Sequence, residues 1–212
     1  MKAHFCWSLL VLCFICGVCI GAPEPSIVPE SGEWTLDVQF AHPQQIVVGK
    51  RLDNQPQRFW YMIVTMTNKT NSDVDFYPKC EIMTDDFELT PSGKGVSGAV
   101  FEQIRRRHQG KYPFLESVEK AGNKILQGKD NTKDVAIIWQ DFGAQTKDVK
   151  VFIAGFSNET VLIKHPVAKD EKGEAVKVFL RKTLELSYSL PGDAAVKSGE
   201  NLSYEGKRWV MR

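Results

Sequence analysis

The chain has 212 residues, of which 42% are hydrophobic and 25% charged. That composition is ordinary for a globular protein, enough for one good core and a tight fit for two full domains. Lys and Arg number 27 against 26 Asp and Glu, and so balanced a chain carries no whole-protein field to gather nucleic acid or an anionic membrane.

Residues 1–21 read as a secretory signal peptide. Lys2 and His4 make a short polar start, Trp7 to Ile20 is an unbroken apolar run, and Gly21 and Ala22 are small. The run is too short for a comfortable membrane span. Cleavage is expected after Gly21, since cutting after Ala22 would leave Pro23 at the new N-terminus; an uncleaved anchor is the alternative. Cys13, Cys16 and Cys19 fit a bacterial lipobox poorly. Cleavage removes Lys2, leaving 26 charges of each sign, and four of the five cysteines. Cys80 then has no internal disulfide partner and reads as a small buried apolar residue on a strand.

Residues 22–33 hold Pro23, Pro25 and Pro29 and read as an extended linker. Trp34 to Phe40 alternates: Trp34, Leu36, Val38 and Phe40 share one face of a half-buried strand. Ile46 to Val48 is a short second strand before a polar loop. Arg58 to Pro78 is the richest aromatic and branched stretch, read as two strands and a hairpin closed at Asn68 to Asp73. In it Trp60, Met62, Val64 and Met66 share one face and Phe59, Tyr61 and Ile63 the other. A central strand with an extra layer over half its back has that pattern. Glu81 to Leu89 is a weaker strand, ending near Pro91.

One helix is expected, from Ala99 onward, with Val100, Phe101 and Ile104 at helical spacing, Arg105 to Arg107 outside, and Gly110 ending it. Residues 93–133 read as an insertion over the sheet, the natural cover for Phe59, Tyr61 and Ile63, with Pro113-Phe114-Leu115 as a hydrophobic anchor. Strand signals return at Val135 to Phe142, Val149 to Phe156, Thr160 to Ile163 and Val176 to Tyr188. Lys182 breaks the inward row of that last strand, so a bulge or an exposed end is expected there. Leu190 to Asp193 reads as a turn, and residues 191–212 as a tail that docks through Trp209-Val210-Met211. The expected fold is mainly β: an immunoglobulin-like antiparallel β-sandwich over residues 34–190 with one inserted α-helical segment. An antiparallel barrel is the rival.

The chemistry-bearing residues are scattered. His42, His108 and His165 lie far apart, and a cupredoxin-like set of Cys80, His108 and a Met lacks the clustering such sites need. Asp130 to Asp134 lacks the Gly and the distant Glu of a calcium loop. Gly95-Val-Ser97-Gly98 lacks the second Gly of a nucleophile elbow. No catalytic residue, metal or cofactor is assigned. Arg105, Arg106, Arg107, His108, Lys111 and Tyr112 form the densest basic cluster, readable as a surface for an anionic partner or as the solvated side of a helix. Three sequons begin at Asn68, Asn158 and Asn201 and have meaning only in a eukaryotic host.

The strand ending Val64-Thr-Met-Thr-Asn-Lys-Thr70, followed by Asp73-Val-Asp-Phe76, resembles exported bacterial immunoglobulin-like domains, in which Asn and Thr close a hairpin through side chain–backbone bonds. The segments VAIIWQDF, VFIAGFSNET, FLRKTLELSYSLPGD and EGKRWVMR resemble a family of uncharacterised exported bacterial proteins. The resemblance implies a periplasmic or extracellular compartment and a sandwich, and brings no activity. The functional expectation is a non-catalytic exported protein that binds a protein or polysaccharide of the cell envelope, with no nucleic acid and no membrane span after cleavage. The alternatives are a hydrolase using loop carboxylates from Asp85, Asp86, Glu88 and Asp141, and a metal-binding periplasmic module.

Overall fold

The computed structural model describes residues 22–50, 56–143, 145–190 and 202–212. The stretch expected to be a signal peptide and the turn expected over 191–193 lie outside them. Among the described residues no helix is long and apolar enough to cross a membrane.

The protein is mainly β, built from largely antiparallel sheets with one α-helix among the described residues. In the first sheet, β1 (Asp37–Phe40) and β2 (Gln44–Lys50) pair with successive parts of β3 (Pro56–Thr67). The chain then leaves that sheet. The two residues of β4 (Val74–Asp75) do not return along β3, and the hairpin expected between them is absent. A side-chain lock replaces it. Asn68 donates to the carbonyls of Ser72 and Ile125 (2.9 and 3.0 Å) and accepts from the Thr70 amide and hydroxyl. Asn68 is fully buried, so as a sequon it is closed. Its bonds satisfy backbone groups that would otherwise be orphaned where the strand ends.

Next comes a tight hairpin, β5 (Lys79–Thr84) and β6 (Leu89–Pro91), and then α1 (Gly98–His108). Two short strands, β7 (Glu116–Ser117) and β8 (Lys124–Ile125), fasten the insertion. β7 pairs parallel to β9 (Lys133–Gln140), while β8 pairs with β4. β9 runs antiparallel along the other edge of β3 through eight residue pairs, which makes β3 central. The second sheet follows: β10 (Asp148–Ala154), β11 (Thr160–Lys169), β12 (Ala175–Ser189) and β13 (Ser203–Met211). β10 and β11 pair with successive parts of the long β12, and β5 with β6 extends the sheet beyond β10. The tail that was expected merely to dock is a full strand, β13, paired with β12 from Lys182 to Ser189. β11 runs to Lys169, beyond the expected end at Ile163.

Period-two alternation builds the main core. Trp60, Met62, Val64 and Met66 of β3 and Val135, Ile137 and Trp139 of β9 meet Ile82, Val151, Ile153, Leu184 and Leu186 of the second sheet in one buried cluster. Cys80 belongs to it, and burial pushes its thiol well above the ordinary value. The opposite face of the first sheet forms a second cluster, Phe59, Tyr61, Ile63 and Ile138, roofed by Val100 and Ile104 of α1 with Leu115. The cover expected from the insertion is the cover found. Of the expected anchor Pro113-Phe114-Leu115 only Leu115 is buried, Phe114 being 86% exposed, and Val118, Ala121 and Ile125 bury the rest of the segment in the main core.

Candidate functional site

The basic cluster divides when placed on α1. Arg105, Arg106 and Arg107 are exposed, and Arg105 pairs with Glu102 one turn back at 2.6 Å. Arg107 donates to the Gln45 carbonyl (3.2 Å) and to the Tyr61 hydroxyl (3.5 Å). His108 Nε2 lies 2.8 Å from that same hydroxyl, which also donates to Gln44 at 2.9 Å. Burial raises the Tyr61 pKa. Burial, then the charges of Arg107 and Lys111, lower that of His108, favouring the neutral imidazole. Lys111 sits 5.0 Å over the Tyr112 ring. Arg107 and His108 therefore fasten the helix to the sheet, and Arg105, Arg106 and Lys111 remain as open surface.

Three of the four carboxylates considered for hydrolysis are engaged by neighbouring groups. Asp141 accepts from Trp60 Nε1 at 2.8 Å and pairs with Arg58 at 3.0 Å. Asp85 accepts from the Lys147 amide at 3.1 Å. Asp86 accepts from the Thr84 hydroxyl, which holds its carboxyl below the ordinary range, and from the Glu88 amide at 3.4 Å. Cys80 lies in the core between the sheets, whereas His108 meets Tyr61 in the outer cluster. A joint metal site of the two is thereby excluded, and no group of three potential ligands occurs among the described residues. Asp134 accepts from the Thr65 hydroxyl at 2.5 Å rather than facing a calcium loop.

A groove not anticipated from the sequence has a volume of about 800 Å³. The Pro-rich segment, including Pro23, Pro25 and Ile27, forms one wall; Arg208, Trp209 and Met211 at the end of β13 form the other. Ser26 pins the segment from both sides of its peptide unit. Its amide donates to Glu159 Oε1 (2.7 Å), and its carbonyl accepts from Lys182 Nζ (3.1 Å). Lys182 and Glu159 form a buried ion pair at 2.7 Å, with side chains 5% and 3% exposed. Burial works to raise the Glu159 carboxyl, but the bonds from Lys182 and Ser26 outweigh it and hold it below the ordinary value.

Lys182 corrects an expectation. The strand neither bulges nor ends there; Lys182 stays in register opposite Met211. Its charge is met inside the protein, because an unpaired buried cation is far costlier than a paired one. The signal available was the break in an otherwise apolar row. Its partner, twenty-three residues earlier, gives no such signal.

Compared with protein-family models, with curated proteins and with solved structures, the chain has no match in any of the three.

Proposed function

We propose that this is an exported, non-catalytic β-sandwich protein, immunoglobulin-like in general shape, that acts by binding a component of the cell envelope. The leading apolar segment, 1–21, supports export. Two antiparallel sheets sharing one core, with the chain crossing between them, support the sandwich. The observation that carries the binding role is the state of the groove beside β13. Its cationic side chains Lys182 and Arg208 are held in ion pairs with Glu159 (2.7 Å) and Glu185 (2.9 Å). Such pairs fix the shape of the groove and hold two of its charges in place, as a binding surface requires.

The test uses protein purified from cells that express the full chain, mixed with isolated cell envelope. Cosedimentation without release of soluble fragments is expected, and N-terminal sequencing should begin at Ala22. Release of reducing sugar or peptide, abolished by Asp141→Asn, would replace this reading with the hydrolase.

A further inference from the structure

The outer face of the second sheet gathers the cations of a charge-balanced chain. Along β12, Lys177, Phe179 and Arg181 alternate with the half-buried Val178 and Leu180, so a ring stands between two cations about 7 Å away on either side. Register places Leu162 and Lys164 of β11 beside Phe179 and Lys177. Phe179 is 67% exposed. Lys164, Lys177 and Arg181 are exposed too, and none has an ion-pair partner among the described residues.

Further along the same face two acids are sunk beneath cations. Glu81 pairs with Lys79 (2.9 Å) and Arg212 (3.0 Å), and Glu185 with Lys150 (3.5 Å) and Arg208 (2.9 Å). The carboxylates are 13% and 6% exposed, whereas Lys79 and Arg208 are 71% and 65% exposed. Each acid cancels one of the two charges it holds and orients both, so the outer layer of the face is cationic and pre-positioned. Arg212 also lies 4.1 Å from the Phe152 ring. Between Lys79, Glu81, Phe152, Phe179, Arg181 and Arg212 opens a cavity of about 300 Å³ in which three cations face one carboxylate that two of them already hold, room for one small anionic group with a neighbouring ring. Acidic residues bound this stretch at both ends: Asp170, Glu171 and Glu174 at the β11–β12 turn, and Asp148 beyond Lys150. The cationic stretch spans about 30 Å of strand.

We propose that this face binds a linear acidic polysaccharide, a chain of pyranose rings bearing carboxylate or sulfate groups. One anionic group enters the cavity and a ring lies on Phe179. The assignment rests on the reading of the chain as an envelope-binding protein and names the surface and the chemistry. Alternation of one open ring with flanking cations suits alternating ring and anion. A polynucleotide calls for several stacking rings and a strongly basic domain, and an anionic bilayer for an apolar face that can insert.

The test is affinity electrophoresis of the full-chain protein through gels containing polygalacturonate, neutral dextran, inorganic polyphosphate or a single-stranded oligonucleotide, with phosphatidylglycerol vesicles assayed by flotation. Retardation by polygalacturonate and none by dextran is expected. Lys177→Gln with Arg181→Gln should weaken it about tenfold. Phe179→Ala should weaken polygalacturonate binding about tenfold while leaving any polyphosphate binding unchanged. Arg105→Gln with Arg106→Gln should leave it intact. All three variants alter exposed side chains, and an unchanged melting temperature confirms that they fold. The proposal is overturned by absence of retardation, by equal retardation in dextran, by tighter binding to vesicles or oligonucleotide, or by loss in the α1 variant instead. Envelope cosedimentation that persists without polygalacturonate binding overturns this assignment alone; loss of both removes the binding role with it.

Discussion

The two sheets turn similar apolar faces toward each other and opposite kinds of face outward. Behind the first sheet lie Phe59, Tyr61 and Ile63, roofed by Val100 and Ile104 of α1 and by Leu115. Behind the second lie Phe152 and Phe179 among Lys79, Lys150, Arg181, Arg208 and Arg212, with no helix or strand over them among the described residues. An apolar face must be removed from water, at about 25 cal/mol per Å² of area buried, and this chain supplies an insertion to do it. A face whose rings alternate with long cations needs no roof, because guanidinium and ammonium stems cover the rings and keep their charges wet. Arg212 over Phe152 at 4.1 Å is such a cover.

The sharpest way to test that contrast is through charge. Glu159→Gln breaks the ion pair on the inner side of the second sheet and should cost about 3–5 kcal/mol in urea unfolding, since it leaves Lys182 buried and unpaired. Arg208→Gln, on the outer side, should cost about 1 kcal/mol or less. Equal costs would mean that burial is not what separates the two sides. Truncation of apolar groups comes next. Ile104→Ala, under the roof, should lose about 2–5 kcal/mol, and Phe179→Ala should stay within about 0.5 kcal/mol. A large loss at Phe179 would show that something already covers the bare face.

A third test concerns the bend from which β11 departs. Gly155 has φ of +98°, and a Cβ there would meet the Pro78 Cα and the Tyr77 carbonyl oxygen at 2.9 Å. Gly155→Ala should cost at least the ~1–2 kcal/mol of a left-handed conformation, and more if the backbone at Tyr77 and Pro78, just before β5, cannot yield. A melting temperature equal to wild type would mean that the bend relaxes freely.

The smallest effect is on the roof itself. The folded protein holds the His108 pKa below its ordinary 6.5, so the unfolded chain binds the extra proton first. Stability should therefore be fully present above about pH 6.5 and fall as the pH drops below it. His108→Gln should remove that part of the slope in unfolding curves measured from pH 7.5 to 5. An unchanged slope would place the acid sensitivity elsewhere.

Much of the β framework was legible along the chain. Alternation marked β1 and β12, apolar runs marked β9 and β10, and the doubly apolar start of β3 announced both its central place and the need for a cover. The partner of β4 was not legible, because a two-residue strand carries no period of its own. The nature of the tail was hidden too: Ser203–Met211 is polar for most of its length, as an outer strand with a wet face can be. The basic cluster on α1 was visible as a run in sequence, yet Arg107 and His108 turned out to be fasteners for Tyr61, which only the packing of helix on sheet reveals.

Local pattern alone thus determined where strands form and which face of each turns inward, because side-chain alternation is a property of the backbone itself. Tertiary structure alone decided that Lys182 is answered by Glu159, that Ser26 straps the pair, and that cations from β5, β10, β11, β12 and β13 share one surface. Those outcomes depend on which strands become neighbours and in what register, and no single segment carries that information.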